Sequence, residues 1–466
     1  MKKQRVTLSI LLVALSGTVM GQSSDDVLNL LQSKGTITAA EADSLRSAAA
    51  IAKWSSLKNR SFGVDLEFRP RTEFRYGYSA LPVETSTPAF FTSQRTRLTF
   101  NFHQKGEFRF LTTLQDVRVW GDKDFRSTAG TVQIYEAWVE PVLSPELTLR
   151  LGRQRLIYDN ERLFAQNNWR QTGSSYDAAV LKYEGGGIVN DLVVAWNQHT
   201  EQTFSTAYTS PSASNPYFKA LIFNFTTFSP VPAIKLTSLQ VADGFEDPDY
   251  SEKINFRYTN GGRIDWKSGD LSATLASYYQ WGTVTKGRGK EFDLSAWYAQ
   301  PEVKLIVGDF TYRLGAEVLS GTGSKFEGTD HSFVPLYGVA HRFNGFMDQI
   351  TSFPSHVGDG GLINPYFFTS WKLNPTITLN GDFHGFWSYA EVLDSKKNAL
   401  KPYLGTELDL VVLWKVNNYT NLEAGFSLAD WERSFTTIRK AGDPSIVNHF
   451  TYLQLTWRPT LFFIEQ

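Results

Sequence analysis

No cysteine occurs in the 466 residues, which excludes a disulfide scaffold. Neither sign of charge is in excess, with 46 Lys and Arg against 47 Asp and Glu, so a broadly basic nucleic-acid binder is excluded as well. Beyond the first 21 residues no apolar run approaches the ~18–20 residues of a spanning helix. No glycine-rich phosphate loop and no paired-carboxylate motif stands out from acids scattered through every segment. The seven histidines (His103, His199, His331, His341, His356, His384 and His449) show no nucleophile or metal spacing. We therefore expect no catalysis and no cofactor. His341, Asp348, His356 and Asp359 do share one long connector, where loop-packing hydrogen bonds are the default over a metal site.

What the chain has is aromatic residues, 34 Phe, 20 Tyr and 13 Trp, spread along segments of alternating polarity. Phe62–Tyr76 sets the pattern. Its odd positions from Asp65 to Arg75 are all charged: Asp65, Glu67, Arg69, Arg71, Glu73 and Arg75. Its even positions are mostly apolar or aromatic. A strand sends alternate side chains to opposite faces, so this ribbon has one greasy and one ionic face. It is long enough to cross a bilayer, for which about 9–11 tilted residues suffice. Each arginine held at the lipid midplane would cost ~2–4 kcal/mol, so the ionic face must turn to a water-filled lumen.

In chain order, residues 1–21 have the parts of a secretory signal. Lys2, Lys3 and Arg5 form the charged end, Val6–Leu15 the apolar stretch, and Val19-Met20-Gly21 the cleavage site, with no cysteine following for a lipid anchor. Residues 22–60 read as a periplasmic helical leader, with Val27, Leu28, Leu30 and Leu31 at helical spacing. A capping box, Thr38-Ala39-Ala40-Glu41, follows. Residues 24–58 leave open either a contact with a periplasmic partner or a loosely ordered leader. From residue 61 to 466, short turns and long connectors take turns between alternating segments. The turns include Lys105-Gly106, Ser144-Pro145, Ser229-Pro230, Ser268-Gly269, Gln300-Pro301 and Asn374-Pro375. Eight turns and nine long connectors join about eighteen strands, an all-β transmembrane antiparallel barrel. Both termini and the short turns then face the periplasm, with the long loops outside.

Period-two arithmetic brings Arg69, Arg71, Arg75, Arg95, Arg97 and Arg109 onto one inner wall, with Glu67 and Glu73 among them. That wall reads either as a ladder of ion pairs or as a selectivity surface for an anionic solute. For Arg153 and Arg155, strict alternation points outward. A bulge at Gly152 would turn them inward, or they lie above the hydrocarbon. Arg162 and Arg170 fall in the connector near 155–174, expected to be exposed, with insertion into the lumen as the alternative. The far longer connector Ser320–Gly360 carries six phenylalanines and tyrosines with which to pack, and is expected to fold inward and narrow the pore.

Two motifs carry a family resemblance. One runs Leu149-Arg150-Leu151-Gly152-Arg153-Gln154, then Asp159-Asn160-Glu161-Arg162-Leu163, Trp169-Arg170 and Tyr176-Asp177. The other is Val334-Pro335-Leu336-Tyr337-Gly338 with His341, Phe343, Gly345 and Asp348. The chain from Phe62 onward resembles the alginate export family of outer-membrane barrels, although Asp159 and Ala165 stand where glycines are expected. The resemblance implies an eighteen-stranded monomer in the outer membrane whose arginine-rich pore passes an acidic polysaccharide. A porin for small anions or oligosaccharides on the same fold is the alternative.

Overall fold

The computed structural model describes residues 38, 41–43, 45–46, 59–122, 130–208, 217–247, 253–286 and 290–466. Two compact units divide the chain: residues 1–61 with 464–466, and residues 62–463. The expected signal peptide and the leader's first helix lie outside the described residues. In the first unit, the capping box forms as expected. The Glu41 amide donates to Thr38 Oγ1 at 3.2 Å, and the Thr38 amide donates to Glu41 Oε2 at 2.7 Å. Residues 41–43 and 45–46 are helical.

The second unit is the barrel. Its first half comprises β1 (Arg60–Tyr76), β2 (Ala89–Gln104), β3 (Phe108–Val119), β4 (Gln133–Ser144), β5 (Leu147–Gln154), β6 (Tyr176–Gly185), β7 (Ile188–Trp196), β8 (Ala220–Val231) and β9 (Ile234–Glu246). The second half comprises β10 (Ile254–Ser268), β11 (Leu271–Lys286), β12 (Lys290–Val307), β13 (Phe310–Leu319), β14 (Leu362–Lys372), β15 (Ile377–Trp387), β16 (Tyr403–Lys415), β17 (Thr420–Trp431) and β18 (Asn448–Trp457). Each strand pairs antiparallel with the next. β18 returns to β1 with Phe68 opposite Trp457 and Glu73 opposite Tyr452, so the eighteen strands close. Closure leaves no strand edge unpaired, as a lipid environment demands.

Alternation sorts the faces as expected. On β16, Leu408, Leu410, Val412 and Trp414 are exposed on the outer face, while Glu407 and Asp409 are buried inside. Two turns sit elsewhere than the sequence suggests. β12 runs through Gln300-Pro301 and turns at Gly308-Asp309, because the alternating run Val303–Val307 continues the strand. The ladder from β12 to β13 skips Gln300 and Pro301 and resumes at Glu302 opposite Gly315, which accommodates a ring with no N–H. Likewise β8 continues through Ser229-Pro230 to Val231, with an irregularity in its register between Phe228 and Val231.

Candidate functional site

The long loop after β5, residues 155–174, turns into the barrel instead of standing exposed. Leu156, Leu163, Phe164 and Ala165 are buried there. What draws it in is the arginine wall. Arg69 and Arg71 on β1 and Arg95 and Arg97 on β2 all face inward and are almost fully buried beneath the loop. Arg69 donates to the Asn168 carbonyl at 2.8 Å and to Gln171 Oε1 at 2.8 Å. Arg71 donates to the Trp169 carbonyl at 2.8 Å, and its guanidinium lies 3.8 Å from the Trp169 ring centroid. Arg95 bonds Asn168 Oδ1 at 2.9 Å. Arg97 bonds Gln115 Oε1 at 2.7 Å and the Thr172 carbonyl at 3.4 Å, stacked on Tyr135 at 3.5 Å.

The expected ion-pair ladder is present as well. Glu73 holds Arg71 at 2.8 Å and Arg75 at 2.6 Å, and Glu67 holds Arg95 at 2.6 Å and Arg458 at 2.7 Å. Arg75 stays partly exposed near the Tyr78 and Phe91 rings. Arg109 does not join this group: it is exposed at the turn end of β3, opposite His103 and Glu140.

Arg153 and Arg155 part company. Arg153 keeps the outer face of Leu151 and pairs with Asp177 at 3.0 Å, both exposed, so alternation holds there. Arg155, one residue past the strand, turns inward to Glu136 at 2.9 Å and Gln166 at 3.0 Å. Arg162, in the same loop, is almost fully buried. It reaches Glu317 on β13 at 2.8 Å, Asn344 at 3.0 Å and the Val339 carbonyl at 2.9 Å, with Glu317 0% exposed. Arg170 exposes its side chain, while its carbonyl accepts from Arg69 at 3.3 Å. Asp159 adopts φ 52°, the left-handed conformation that explains an expected glycine at this position and that aspartate tolerates.

The loop before β14, residues 320–361, also folds inward, burying Phe333, Met347, Ile350 and Val357. Here wall acids do the holding. Met347 N–H donates to Glu407 Oε1 at 2.7 Å, Phe346 N–H donates to Asp409 Oδ2 at 3.4 Å, and Tyr337 Oη donates to Asp243 Oδ2 at 2.7 Å. The two loops meet along a short seam. Tyr337 N–H bonds the Leu163 carbonyl at 2.9 Å, and Val339 N–H the Glu161 carbonyl at 3.1 Å. Gly338 lies so close that an added Cβ would come within 1.8 Å of the Arg162 carbonyl oxygen. His341 is stacked between Trp169, at 3.9 Å, and Phe346, at 4.4 Å.

His341 Nδ1 lies 2.9 Å from Asp348 Oδ1, and Tyr78 Oη donates to the other carboxylate oxygen. Burial would raise the Asp348 carboxyl, but His341 and the two hydrogen bonds outweigh it and hold it below the ordinary range. Burial, and then Arg439, push the His356 imidazole down to about 4. Its Nδ1 lies 3.0 Å from the Gln349 carbonyl oxygen and 3.3 Å from the amides of Thr351 and Ser352. Among the described residues no group of three or more His, Asp or Glu is arranged for a metal.

A cavity of about 300 Å³ lies on the turn side of the arginine-held loop, lined by Asp65, Glu67, Arg97, Tyr135, Glu136 and Arg155 among others. A second, of about 380 Å³, lies on its loop side against Gln115, Tyr135, Arg153, Thr172 and Tyr176. The residues that sequence reasoning missed are acceptors: Asp243, Glu317, Glu407 and Asp409. Each sits at an inward position of its strand, a signal period-two arithmetic offers, but nothing in the pattern says which acids meet a loop.

A closed eighteen-stranded barrel with loops packed in its lumen belongs to the class of outer-membrane channels. Solved structures agree on the fold. The chain is similar to Pseudomonas aeruginosa OccK9 (OpdG), at 11% identity and TM-score 0.59, covering 87% of this chain and 100% of that one. It is similar to Acinetobacter baumannii OccAB2, at 16% identity and TM-score 0.57, covering 88% and 100%. It is also similar to P. aeruginosa OpdK solved with vanillate, at 11% identity and TM-score 0.56, covering 87% and 99%. No curated protein matches the sequence. The family model for alginate export matches residues 61–430, and the chain belongs to that family.

Proposed function

We propose that the chain is a passive channel for an anionic polysaccharide of the polyuronate type, moving through a lumen whose wall is rich in arginine. The observation that carries this reading is the family match along the barrel. The wall chemistry supports it, since five guanidiniums (Arg69, Arg71, Arg75, Arg95 and Arg97) gather around two carboxylates, Glu67 and Glu73. Across the lumen, Arg342 on the second loop is exposed and adds its charge to those of Arg263 and Arg313. A narrow, low-dielectric passage focuses such a field and raises the local concentration of anions. Transport down a gradient needs no covalent step. The chain acts as a monomer with its long loops outside and both termini in the periplasm.

The second reading is a porin for small anions. OpdK was solved with vanillate, a small carboxylate, and the two cavities here are of small-molecule size. Planar-bilayer recording separates the readings. Polyuronate should block the single-channel current at concentrations where neutral dextran of equal length does not. Block by monomeric carboxylates alone would favour the porin, and block by neither would reject an anion channel.

A further inference from the structure

The arginine wall is covered, which raises the question of what it does under a loop. Among the described residues, Glu73 serves Arg71 and Arg75, and Glu67 serves Arg95 and Arg458. Arg69 and Arg97 pair with no carboxylate. Their partners are neutral: the Asn168, Trp169 and Arg170 carbonyls and Gln171 for Arg69, the Thr172 carbonyl, Gln115 and the Tyr135 ring for Arg97. Glu67 acts on both guanidiniums only from a distance, and a hydrogen bond to a carboxylate is roughly twice as strong as one to a neutral acceptor.

We propose that Arg69 and Arg97 form a latent carboxylate-binding site, filled at rest by the backbone oxygens of residues 168–172 and taken over by the carboxylates of an incoming acidic polymer. This rests on the channel reading above and adds how the solute opens its own path. Two further features fit a displaceable segment. It runs between two left-handed residues, Asn167 at φ 49° and Gly173 at φ 64°. Gly173 has no room for a side chain, since a Cβ would lie 2.7 Å from Arg97 Nη2 and 2.8 Å from Tyr135 Oη. The end of the segment also lies where the two cavities adjoin: Arg97 lines the turn-side one, Thr172 and Gly173 the loop-side one, and Tyr135 both. Lifting the segment joins them along the arginine wall. The polymer's carboxylates then replace peptide carbonyls at guanidiniums already oriented, and the loop closes again behind them.

Ser93 reports the event. It is buried on β2 beneath the segment, its Oγ accepting from Gln171 Nε2 at 3.0 Å, and the chain has no native cysteine. In the full-length Ser93→Cys protein, the rate of labelling by a membrane-impermeant maleimide is measured with an oligogalacturonate of defined length or a neutral malto-oligosaccharide. At ten times its dissociation constant from the lifted state, a ligand that binds only that state should raise the labelling rate about tenfold while the lifted state is rare. The neutral sugar should leave the rate unchanged, and Arg69→Gln with Arg97→Gln should abolish the rise. If that variant does not insert, Arg69→Lys with Arg97→Lys keeps the charge, loses the planar fork and should reduce the rise. A rise undiminished in the substituted wall overturns the proposal. Current block by the oligouronate with unchanged labelling overturns this site and leaves the channel reading intact, whereas neither block nor labelling overturns both.

Discussion

Residues 168–172 of the first loop lie against β1 and β2, and residues 337–347 of the second lie against β9 and β16, and the wall holds these two stretches with opposite charges. Arginines grip the first loop by its carbonyls: Arg69 on Asn168, Arg71 on Trp169, Arg97 on Thr172. Carboxylates grip the second by its N–H and O–H groups: Glu407 on Met347, Asp409 on Phe346, Asp243 on Tyr337. A peptide offers donors and acceptors in equal number, so either sign of wall charge can hold a loop. The difference lies in what competes. The carboxylates of a polyanion are rival acceptors for the arginines, whereas the wall acids repel them. On the proposal above, residues 168–172 are accordingly the movable part and the second loop the fixed plug.

The largest effect is expected where the two loops and the wall share one ion pair. Arg162→Ala leaves Glu317 fully buried without its cation, a change that costs about 3–5 kcal/mol. The temperature at which the folded band is lost on a gel should fall, and Arg162→Lys should fall less. Next, replacing Val334–Phe353 by a short Gly-Ser linker should raise single-channel conductance severalfold. Deleting residues 168–172 alone should raise it less. Equal conductance in both deletions would erase the distinction between plug and movable segment.

A smaller effect concerns pH. His356 sits on the second loop with its pKa lowered from 6.5 to about 4, so the unfolded or released loop binds the proton more readily than the packed one. Its contribution to packing is complete above about pH 6.5 and is lost as the pH falls through about 4. Conductance of the isolated channel should rise over that window, and His356→Gln should flatten the rise. Smallest is a topological check that leaves function untouched. A cysteine at Ser395, exposed in the loop before β16, should label from the cell surface, and one at Ser144 or Ser268, at the turn ends, should not. The reverse pattern would turn both loops toward the periplasm.

Most of the barrel was readable because lipid enforces period two. The eighteen segments and the shared face of Arg69, Arg71, Arg95 and Arg97 follow from alternation and from the cost of arginine in hydrocarbon. The turn at Gln300-Pro301 misled because proline is also tolerated where the ladder leaves a gap. The arginines' burial was not readable. Their partners are backbone carbonyls of Asn168, Trp169 and Thr172, and every residue type has a carbonyl, so no pattern of side chains announces the contact. The insertion of the loop that carries Arg162 was hidden for the same reason. Its counter-charge, Glu317, lies 155 residues away on a strand whose acids look alike in sequence.

The comparison of the two grips is tested most directly by recording polyuronate block in two paired variants. One is Arg69→Gln with Arg97→Gln, the other Glu407→Gln with Asp409→Asn, each keeping an acceptor or donor of similar shape at its site. The account predicts that the arginine pair loses the polymer's block, whereas the acid pair keeps it and conducts more between blocks. Block lost equally in both, or retained equally in both, would contradict it.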